Sequence, residues 1–446
     1  MEDSKFSRML TIVGVVLGTA LIVGIGIYLI ATINPPTGGK TVIRWVVDPN
    51  PIRKETIKLF ELEHPDIHVI NDPGAESQRL LTQLAGDVPP DVMTLYDPQT
   101  LSLFAKNDVL LDLRPYVEKY DIPVNKLYPS LKPYIYYKDK VVGIPENCGP
   151  YVLFYNKRLF REAGIPYPKP GWTWDECLAD AKKLTKYRTV NGRQVPKVKG
   201  LYVNNTDWWF FIWMNHGNLF SQNGKICMID SPEAKKGIRY WADLRLKYHV
   251  MPTANEAASM APTGSWGGDA LLFREGMLAM VVSGRWACIQ YREQKDLDWD
   301  VTTVPHGPNR VTLLGSKSYS IPKACKNKEA SITFMKHLLG KDNQLLVGNY
   351  GDGIPTVKDP AIIKAFLYNP QYPNEKNNQV HIDDMKYARV QESSPYINNL
   401  DVYAIMTIEF DKMWLGQQTS DETCDQIAKQ INAIIRRNLV NPNFLN

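Results

Sequence analysis

The sequence lacks the patterns that mark most enzymes and metal proteins. Its six cysteines include no Cys-x-x-Cys pair, and its seven histidines have no metal-like spacing. It contains no Gly-x-Ser-x-Gly elbow, no His-Glu-x-x-His pair and no Walker loop. We therefore predict no catalytic residues, no metal and no cofactor. The scattered cysteines are expected to be buried thiols, although some could pair outside the cytoplasm.

The sequence also has little net charge for its length. Its 446 residues carry a formal charge of +5, and the surplus is not gathered into a run, so nothing indicates a nucleic-acid partner. Apolar residues make up 44% and charged residues 22%, which is typical of a folded globular protein. A chain this long exceeds what one compact core usually organises, and two lobes or domains are expected.

One long uncharged stretch, residues 9–33, is sufficient to cross a bilayer. Lys5 and Arg8 precede it and place residues 1–8 in the cytoplasm, which leaves the folded part outside. Neither an Ala-x-Ala site nor a cysteine for lipid attachment accompanies the stretch. We predict a retained single-pass anchor in the cytoplasmic membrane, followed by a tether at residues 34–40. A cleaved signal peptide is the alternative.

Alternating strand and helix patterns follow the tether. Residues 42–47, 67–70 and 92–95 are predicted as buried strands, with helical spacing between them at Ile57 and Phe60 and again at residues 80–85. This order is typical of an α/β fold with a parallel sheet and right-handed crossovers. Capping boxes at Thr173 with Glu176, and at Thr419 with Glu422, predict two helix starts.

Polar residues stand where two of these strands end. Asp48 and Asn50 follow the first strand, and Tyr96 and Asp97 end the third. In an open parallel sheet, ligands collect outside the carboxyl ends of the strands. These four residues are therefore predicted to contact a small polar ligand.

Tryptophans are frequent near predicted loops. An aromatic face suits the apolar C–H face of a sugar ring, and Trp209, Trp266 and Trp286 are candidates for such contacts. Tryptophans also fill cores, and that alternative is open for all three. It is favoured for Trp213.

Two other functions have weaker support in the sequence. Glu146 could be half of a glycosidase carboxylate pair, but no local pattern marks a second carboxylate. Tyr134, Tyr136 and Tyr137 could hold ferric ion, yet their alternation before Lys138 is more typical of a hairpin strand. The glycine-rich residues 348–353 do not form a P-loop and are expected to form a turn.

Several segments occur in a fixed order from about residue 41 to the C-terminus. These segments are Gly86-Asp87-Val88-Pro89-Pro90-Asp91-Val92, Val142-Gly143-Ile144-Pro145, Tyr155-Asn156-Lys157, Ala163-Gly164-Ile165, Trp172-Thr173-Trp174-Asp175-Glu176, residues 273–280, Gly284-Arg285-Trp286, residues 304–308, Gly315 and Ile354-Pro355-Thr356. No single motif is decisive, but their order and spacing together are specific. Together they resemble the family 1 extracellular solute-binding proteins, a sugar-binding group.

The resemblance implies a two-lobed periplasmic-binding-protein fold that closes by a hinge on its ligand. Lobe 1 would comprise residues 41–151 and 300–357, and lobe 2 residues 152–299 and 358–446. The chain would cross near residues 149–153 and 296–301. The ligand contacts that the resemblance implies are Asp48, Asn50, Tyr96, Asn147, Gly149, Trp208, Trp209, Trp286 and Tyr396. Arg285, beside Trp286, is expected to hydrogen-bond ligand hydroxyls.

The same resemblance implies the partners. A small-molecule ligand, most consistent with a sugar or glycoside, would be delivered to the permease subunits of an ABC importer. The predicted membrane anchor departs from the lipidated or released forms of many members. The chain could therefore instead be the ligand-sensing ectodomain of a receptor with the same fold. An extracytoplasmic glycoside hydrolase is the third possibility.

Overall fold

The computed structural model describes residues 39–74, 77–86, 88–260 and 268–441. The strands of these ranges, in chain order β1 to β16, are Thr41–Val47, Ile67–Pro73, Val92–Leu95, Tyr136–Tyr137, Lys140–Val141, Asn147–Pro150, Val152–Asn156, Lys186–Val190, Arg193–Val198, Tyr202–Val203, Met280–Ser283, Trp299–Thr302, Thr312–Ser316, Ser318–Ser320, Ile354–Pro355 and Ala388–Arg389.

The helices of the same ranges, in chain order α1 to α18, are Ile52–Glu63, Ser77–Ala85, Pro98–Lys106, Arg114–Tyr120, Lys132–Ile135, Lys157–Ala163, Trp174–Leu184, Trp209–Trp213, Pro232–Leu246, Ala254–Met260, Gly268–Arg274, Cys288–Tyr291, Lys328–Leu338, Lys341–Tyr350, Pro360–Leu367, Gln379–Asp384, Asn399–Trp414 and Ser420–Leu439. Short 3₁₀ turns lie at Val124–Lys126, Pro129–Leu131, Arg285–Ala287 and Met385–Tyr387.

The first lobe is built on a four-stranded sheet in the order β14-β3-β1-β2. Strand β1 is parallel to both β2 and β3, with Thr41 opposite Ile67 and Trp45 opposite Val92. This confirms the three parallel strands predicted from the sequence. The fourth strand, β14, is antiparallel to β3 and enters this sheet after the chain has returned from the second lobe.

The second lobe has its own sheet in the order β10-β11-β7-β12. Strands β10 and β11 are parallel, whereas β7 runs antiparallel to both of its neighbours, β11 and β12. A large core covers this lobe, with Phe160, Trp213, Trp241 and Ile431 among its fully buried residues. The core of the first lobe is separate and includes Trp45, Phe60 and Phe334.

A third sheet, in the order β15-β6-β13-β16, lies between the two lobes. The chain passes from β6 of this sheet to β7 of the second lobe at Tyr151, within the predicted first crossing. It leaves the second lobe only after Thr302, because Trp299–Thr302 pairs with β7. The second crossing is therefore later than residues 296–301.

The C-terminal part is also divided differently from the prediction that residues 358–446 form lobe 2. Phe366 and Met385 pack in the core of the first lobe, and Ala388 pairs with Thr312 in the middle sheet. The segment that continues into α17 and α18 packs in the core of the second lobe, through residues such as Val402 and Ile427. Val380 of α16 also packs against second-lobe residues such as Phe154. The chain thus makes a third crossing shortly after β16.

Both predicted capping boxes are present. The side chain of Thr173 accepts from the backbone N–H of Glu176 at 3.2 Å, and the Glu176 carboxylate accepts from the Thr173 N–H at 2.7 Å. Thr419 and Glu422 make the same pair of bonds at the start of α18. Of the predicted tyrosine strand, only Tyr136–Tyr137 is a strand, because Tyr134 lies in the short helix α5.

All six cysteines are buried and unpaired in the structure. Burial raises the pKa of the Cys288 thiol to about 12, so this side chain is an unreactive core residue. In the part of the chain that the structure describes, no helix is both long and apolar enough to cross a bilayer. The predicted anchor at residues 9–33 lies outside the described residues.

Candidate functional site

A cleft of about 320 Å³ opens between the two lobes against the middle sheet. Its walls come from the ends of β1 and β3, from β6 and β13, and from segments of the second lobe. The residues that line it are Asp48, Asn50, Tyr96, Tyr134, Asn147, Cys148, Tyr151, Trp286, Leu313, Leu314, Gly315, Ser316, Lys317, Asp352 and Gln391. Five of the residues predicted from the sequence thus meet in one cavity: Asp48, Asn50, Tyr96, Asn147 and Trp286.

Arg53 organises the first-lobe wall of this cleft. Its guanidinium is fully buried and contacts three carboxylates, those of Asp48 at 3.2 Å, Glu146 at 3.2 Å and Asp352 at 2.9 Å. Lys317 adds a second cation, 3.3 Å from Asp48. Three carboxylates and two cations leave this wall with a net negative charge. Buried charges persist only when paired and hydrogen-bonded, as these are.

Asp352 joins the elements that meet at this wall. One of its carboxylate oxygens accepts from the side-chain amide of Asn50 at 2.7 Å, and the other accepts from Asn147 at 2.6 Å. Asn50 lies just after β1 and Asn147 begins β6, so Asp352 fixes the loop of one strand against the start of another. Asn147 also donates to the Asp352 carbonyl at 3.1 Å.

The Asp48 carboxylate is ionised and oriented toward the cavity. Burial alone would raise its pKa, but Lys317 and Arg53 outweigh burial and hold the pKa below its usual value. The hydroxyl of Tyr96, whose side chain is exposed at the rim, donates to Asp48 at 3.3 Å. The oxygens of Asp48 already accept from Asn50, Arg53, Tyr96 and Lys317, so a ligand hydroxyl would share this carboxylate with them or take the place of one.

Trp286 provides the aromatic surface of the opposite wall. A Cβ atom at Gly284 would lie 2.0 Å from its ring, and one at Gly315 would lie 2.8 Å away, so both positions must be glycine for the ring to lie against the backbone. Tyr151 meets the ring edge-on, with centroids 5.3 Å apart and planes at 83°. Trp286 is only half-buried, and it remains free to contact a ligand.

Gly149 lies beside this aromatic surface without lining the cavity. It is in β6 opposite Gly315 of β13, so it supports the strand on which the Trp286 ring rests. A Cβ at Gly149 would meet only Ile354, at 3.8 Å, which is ordinary van der Waals contact.

Two predicted polar contacts are used elsewhere in the structure. The Asp97 carboxylate caps α3 by accepting from the backbone N–H and the hydroxyl of Thr100, at 2.7 and 2.8 Å. Arg285 is 1% exposed and donates to Glu375 at 2.6 Å, so its guanidinium faces away from the cleft. Neither side chain lines the cavity.

The predicted aromatic contacts other than Trp286 do not line the cavity either. Trp208 and Trp209 are 2% and 1% exposed and stack on each other with centroids 4.1 Å apart in the second-lobe core. Tyr396 is half-buried and packs against the same core. Trp213 is fully buried, which confirms the core alternative. Trp266 lies outside the described residues.

Several cleft residues were missed by sequence reasoning. Lys317 contacts Asp48, and Asp352 contacts Asn50, from positions 269 and 302 residues later in the chain, so no local pattern reveals them. Tyr151 lies at the predicted first crossing between the lobes, and this position could have identified it as a cleft residue. Gln391 follows β16, and its carbonyl accepts from Gln99 of the first lobe at 2.6 Å.

A buried acid also lies in the second lobe, after the end of β10. Asp207 is 4% exposed, and burial together with the charge of Asp269 raises its pKa to about 8. The charges of both acids also act on Tyr151 of the cleft, in addition to the burial that raises the pKa of that tyrosine. Asp207 is therefore largely protonated at neutral pH and could donate as well as accept a hydrogen bond.

The carboxylate considered for catalysis is occupied. Glu146 is fully buried and accepts from Arg53, from the Tyr319 hydroxyl at 2.7 Å and from the Asn343 side-chain amide at 3.0 Å. It has no exposed oxygen to protonate a glycosidic bond. Among the residues that the structure describes, no group of three or more His, Cys, Asp or Glu side chains could hold a metal ion.

A comparison with known protein families agrees with the geometry of this cleft. Residues 47–345 match the family model described as bacterial extracellular solute-binding protein. The chain belongs to this family. The match begins at the last residue of β1 and extends into α14. It therefore covers the loop after β1, the segments that contain Trp208 and Trp286, and the first two crossings between the lobes.

Relatives of this solute-binding protein include transport and lipoprotein sequences. An "uncharacterized lipoprotein in oleD 5′ region" of Streptomyces antibioticus is 27% identical over 76% of this chain and 76% of its own length. The galactooligosaccharide-binding protein of Bacillus subtilis is 25% identical over 70% of this chain and 72% of its own.

Solved structures share the fold. The ABC substrate-binding protein of Listeria monocytogenes in complex with cycloalternan superposes with a TM-score of 0.78 and 24% identity, covering 89% of this chain and 99% of that one. The two-lobed periplasmic-binding-protein fold expected from the sequence is thereby confirmed.

Proposed function

We propose that this solute-binding protein captures a sugar, most consistent with an oligosaccharide, and delivers it to the permease of an ABC importer. The observation that carries the proposal is the cleft itself. It combines an aromatic face, Trp286, with ionised or amide acceptors and donors at Asp48, Asn50 and Asn147. Sugars present apolar C–H faces and a rim of hydroxyls, and they match both kinds of wall.

The ligands named for similar proteins support a sugar as the ligand. The Bacillus relative is described as binding galactooligosaccharide, and the Listeria structure holds cycloalternan. The first-lobe wall is net negative, with both of its cations engaged by carboxylates. An anionic ligand would find no free cation there, whereas a neutral sugar would find acceptors for its hydroxyls.

We infer that the protein binds its ligand without converting it. Glu146, the carboxylate considered for glycoside hydrolysis, has its oxygens engaged by Arg53, Tyr319 and Asn343. A retaining or inverting glycosidase needs two carboxyl groups that reach the scissile bond. Incubation of the protein with a bound oligosaccharide, followed by chromatography, should return the sugar intact.

The mechanism we propose is closure of the two lobes on the ligand. Asp48 and Asn50 belong to the first lobe and Trp286 to the second, so full contact requires both lobes to approach. A ligand that contacts both sets binds the closed state more tightly and shifts the population toward it. The middle sheet, through which the chain passes three times, would be the hinge.

The membrane arrangement is a further part of the proposal. The uncharged residues 9–33 would hold the folded part at the outer face of the cytoplasmic membrane, with residues 34–40 as a tether. Membrane fractions should then contain an intact chain that detergent releases and high salt does not. A shortened form beginning near residues 34–40 would show instead that the stretch is a cleaved signal.

A thermal-shift screen tests the ligand class. A ligand that binds only the folded protein must raise the melting temperature, and saturation at one hundred times Kd corresponds to about 2.7 kcal/mol. We expect maltooligosaccharides or galactooligosaccharides to raise it, and amino acids and phosphate esters to leave it unchanged. A shift with amino acids alone would contradict the sugar proposal.

A further inference from the structure

The turn that carries Asp352 into the cleft is tied to the second lobe by one arginine. Helix α14 ends at Tyr350, and Gly351 then adopts a left-handed conformation with φ of 92° before Asp352. Asp352 binds Asn50, Arg53 and Asn147, so the position of this turn affects two residues that line the cleft, Asn50 and Asn147, and the buried Arg53 behind them. Helix α14 itself belongs to the first lobe, since it packs on α1.

Arg292, which follows α12 of the second lobe, binds the end of this first-lobe helix. Its guanidinium donates to the carbonyl oxygens of Asn349 at 2.9 Å and Tyr350 at 2.6 Å. The last carbonyls of a helix have no donor within the helix, and they carry its partial negative charge. A Cβ at Gly351 would lie 2.8 Å from the same guanidinium, so the arginine lies directly against the turn.

Glu375 fixes this arginine in place. Its two carboxylate oxygens accept from Arg292 at 2.6 and 2.9 Å, which is a bidentate pair, and the Tyr372 ring lies 3.8 Å from the guanidinium carbon. Glu375 also accepts from Arg285 at 2.6 Å, and Arg285 immediately precedes Trp286. The three charged side chains are between 1% and 6% exposed.

We propose that Arg292 is a positioning residue for ligand binding: it holds the Asp352 turn of one cleft wall at a fixed place relative to Trp286 of the other. The connection runs from Trp286 through Arg285, Glu375 and Arg292 to the end of α14, without any of the last three lining the cavity. The proposal rests on the proposed function for its effect on sugar affinity. The positioning itself does not depend on the identity of the ligand.

A cluster of buried ions could stabilise the fold without the hydrogen bonds that Arg292 donates to the carbonyl oxygens of Asn349 and Tyr350. The pair of Arg285 and Glu375 already neutralises two buried charges. Arg292 adds a planar guanidinium group that donates to Glu375 and to two backbone carbonyls at the same time. Lysine keeps the positive charge but cannot make these bonds together. Arg292→Lys therefore separates positioning from charge.

The test uses the full chain and hydrogen exchange without ligand. In Arg292→Lys we expect faster amide exchange confined to residues 347–355, where the N–H groups of Gly351 and Asp352 donate to the Val347 carbonyl. Arg161→Lys is the control, because Arg161 also bridges two side chains, Asp298 and Tyr167, and none of the three lines the cleft. Unchanged exchange in residues 347–355, or an equal increase in the control, would overturn the proposal.

Titration with maltotriose supplies the functional half of the test. We expect binding about tenfold weaker in Arg292→Lys and unchanged in Arg161→Lys, since a lost charged hydrogen bond is typically worth such a factor. If Arg292→Lys binds maltotriose with normal affinity although amide exchange in residues 347–355 is faster, Arg292 has no role in ligand binding. If the unaltered protein binds none of the sugars used in the thermal-shift screen, the proposed function fails. The hydrogen-exchange result still decides whether Arg292 positions the Asp352 turn.

A milder variant covers the case in which Arg292→Lys does not fold. Tyr372→Ala removes the ring beneath the guanidinium and leaves every charge of the cluster in place. We expect the same confined increase in exchange over residues 347–355, with a smaller amplitude. No increase in a folded Tyr372→Ala protein would count against the proposal.

Discussion

The two walls of the cleft are held in place by different interactions. The first-lobe wall is a network of buried charges in which Arg53 contacts Asp48, Glu146 and Asp352. The second-lobe wall is an aromatic surface in which Trp286 rests on glycine backbone and meets Tyr151. A charge network fails when one member is removed, because its partners stay buried and unpaired. An aromatic surface can lose contact area while the fold persists.

This contrast predicts that the first wall couples binding to stability and the second does not. The largest effect is expected for Arg53→Met, which leaves three carboxylates without their shared cation. Loss of one partner from a buried ion pair typically costs about 3–5 kcal/mol of stability. Urea denaturation measures it. As control, Arg239→Met removes an exposed pair with Asp421 and should cost less than about 1 kcal/mol. Similar losses in both variants would contradict the difference between buried and exposed pairs.

The second wall is expected to show the opposite behaviour. Trp286→Ala should weaken sugar binding by about 1–3 kcal/mol with a nearly unchanged melting temperature, because a half-buried stacking residue contributes contact rather than packing. Trp209→Ala is the contrasting variant, since Trp209 is in the core. It should lose about 3–5 kcal/mol of stability. Calorimetric titration beside melting curves separates the two. A Trp286→Ala protein that binds normally would remove Trp286 from the site.

A smaller effect on the same wall is expected from one added methyl group. In Gly315→Ala the Cβ would approach the Trp286 ring to 2.8 Å and displace it, and we expect about 1 kcal/mol weaker sugar binding. Gly149→Ala, directly across from it in β6, meets nothing closer than 3.8 Å and should bind normally. Equal affinities for the two variants would mean that the ring position does not matter.

The last prediction concerns pH and the buried Asp207. Burial and the charge of Asp269 raise its folded pKa to about 8, whereas an unfolded aspartate has a pKa of about 3.9. Between these values the folded protein binds the extra proton, so stability falls as pH rises toward 8, by at most about 1.4 kcal/mol per pH unit. In Asp207→Asn this loss should be absent. Denaturation curves at pH 5 to 8 that stay parallel for the two proteins would contradict this.

The same contrast explains how much of the molecule could be predicted from its sequence. Strand β3 is an apolar run that is buried throughout, β1 ends in the buried residues Trp45, Val46 and Val47, and β2 buries Ile67 and Val69. These apolar residues made the strand positions, and the polar residues after them, predictable. Asp48 and Asn50 were found in this way. Lys317 and Asp352 were not, because they reach the same wall from distant parts of the chain and only the folded topology brings them there.

Aromatic residues were harder to assign, for a physical reason. Trp208, Trp209 and Trp286 have the same chemistry, and burial alone separates a core residue from a binding surface. Residues 209–213 are five consecutive large apolar residues, all buried in the structure, and such a run is better suited to a core helix. Trp286 was predicted from the Gly284-Arg285-Trp286 segment. That Gly315 of β13 also lies against its ring is visible only in the folded protein.

In the proposed function, one ligand contacts both walls and thereby drives closure of the lobes. The most direct test of this closure is the distance between spin labels on the two lobes of the full chain, introduced as Leu62→Cys and Leu415→Cys. Both positions are 72% exposed, and the native cysteines are buried and should not react. Addition of the sugar that most raises the melting temperature should replace a broad distance distribution by a narrower one centred at a shorter distance. An unchanged distribution at saturation would contradict closure and show that the ligand binds an already fixed cleft.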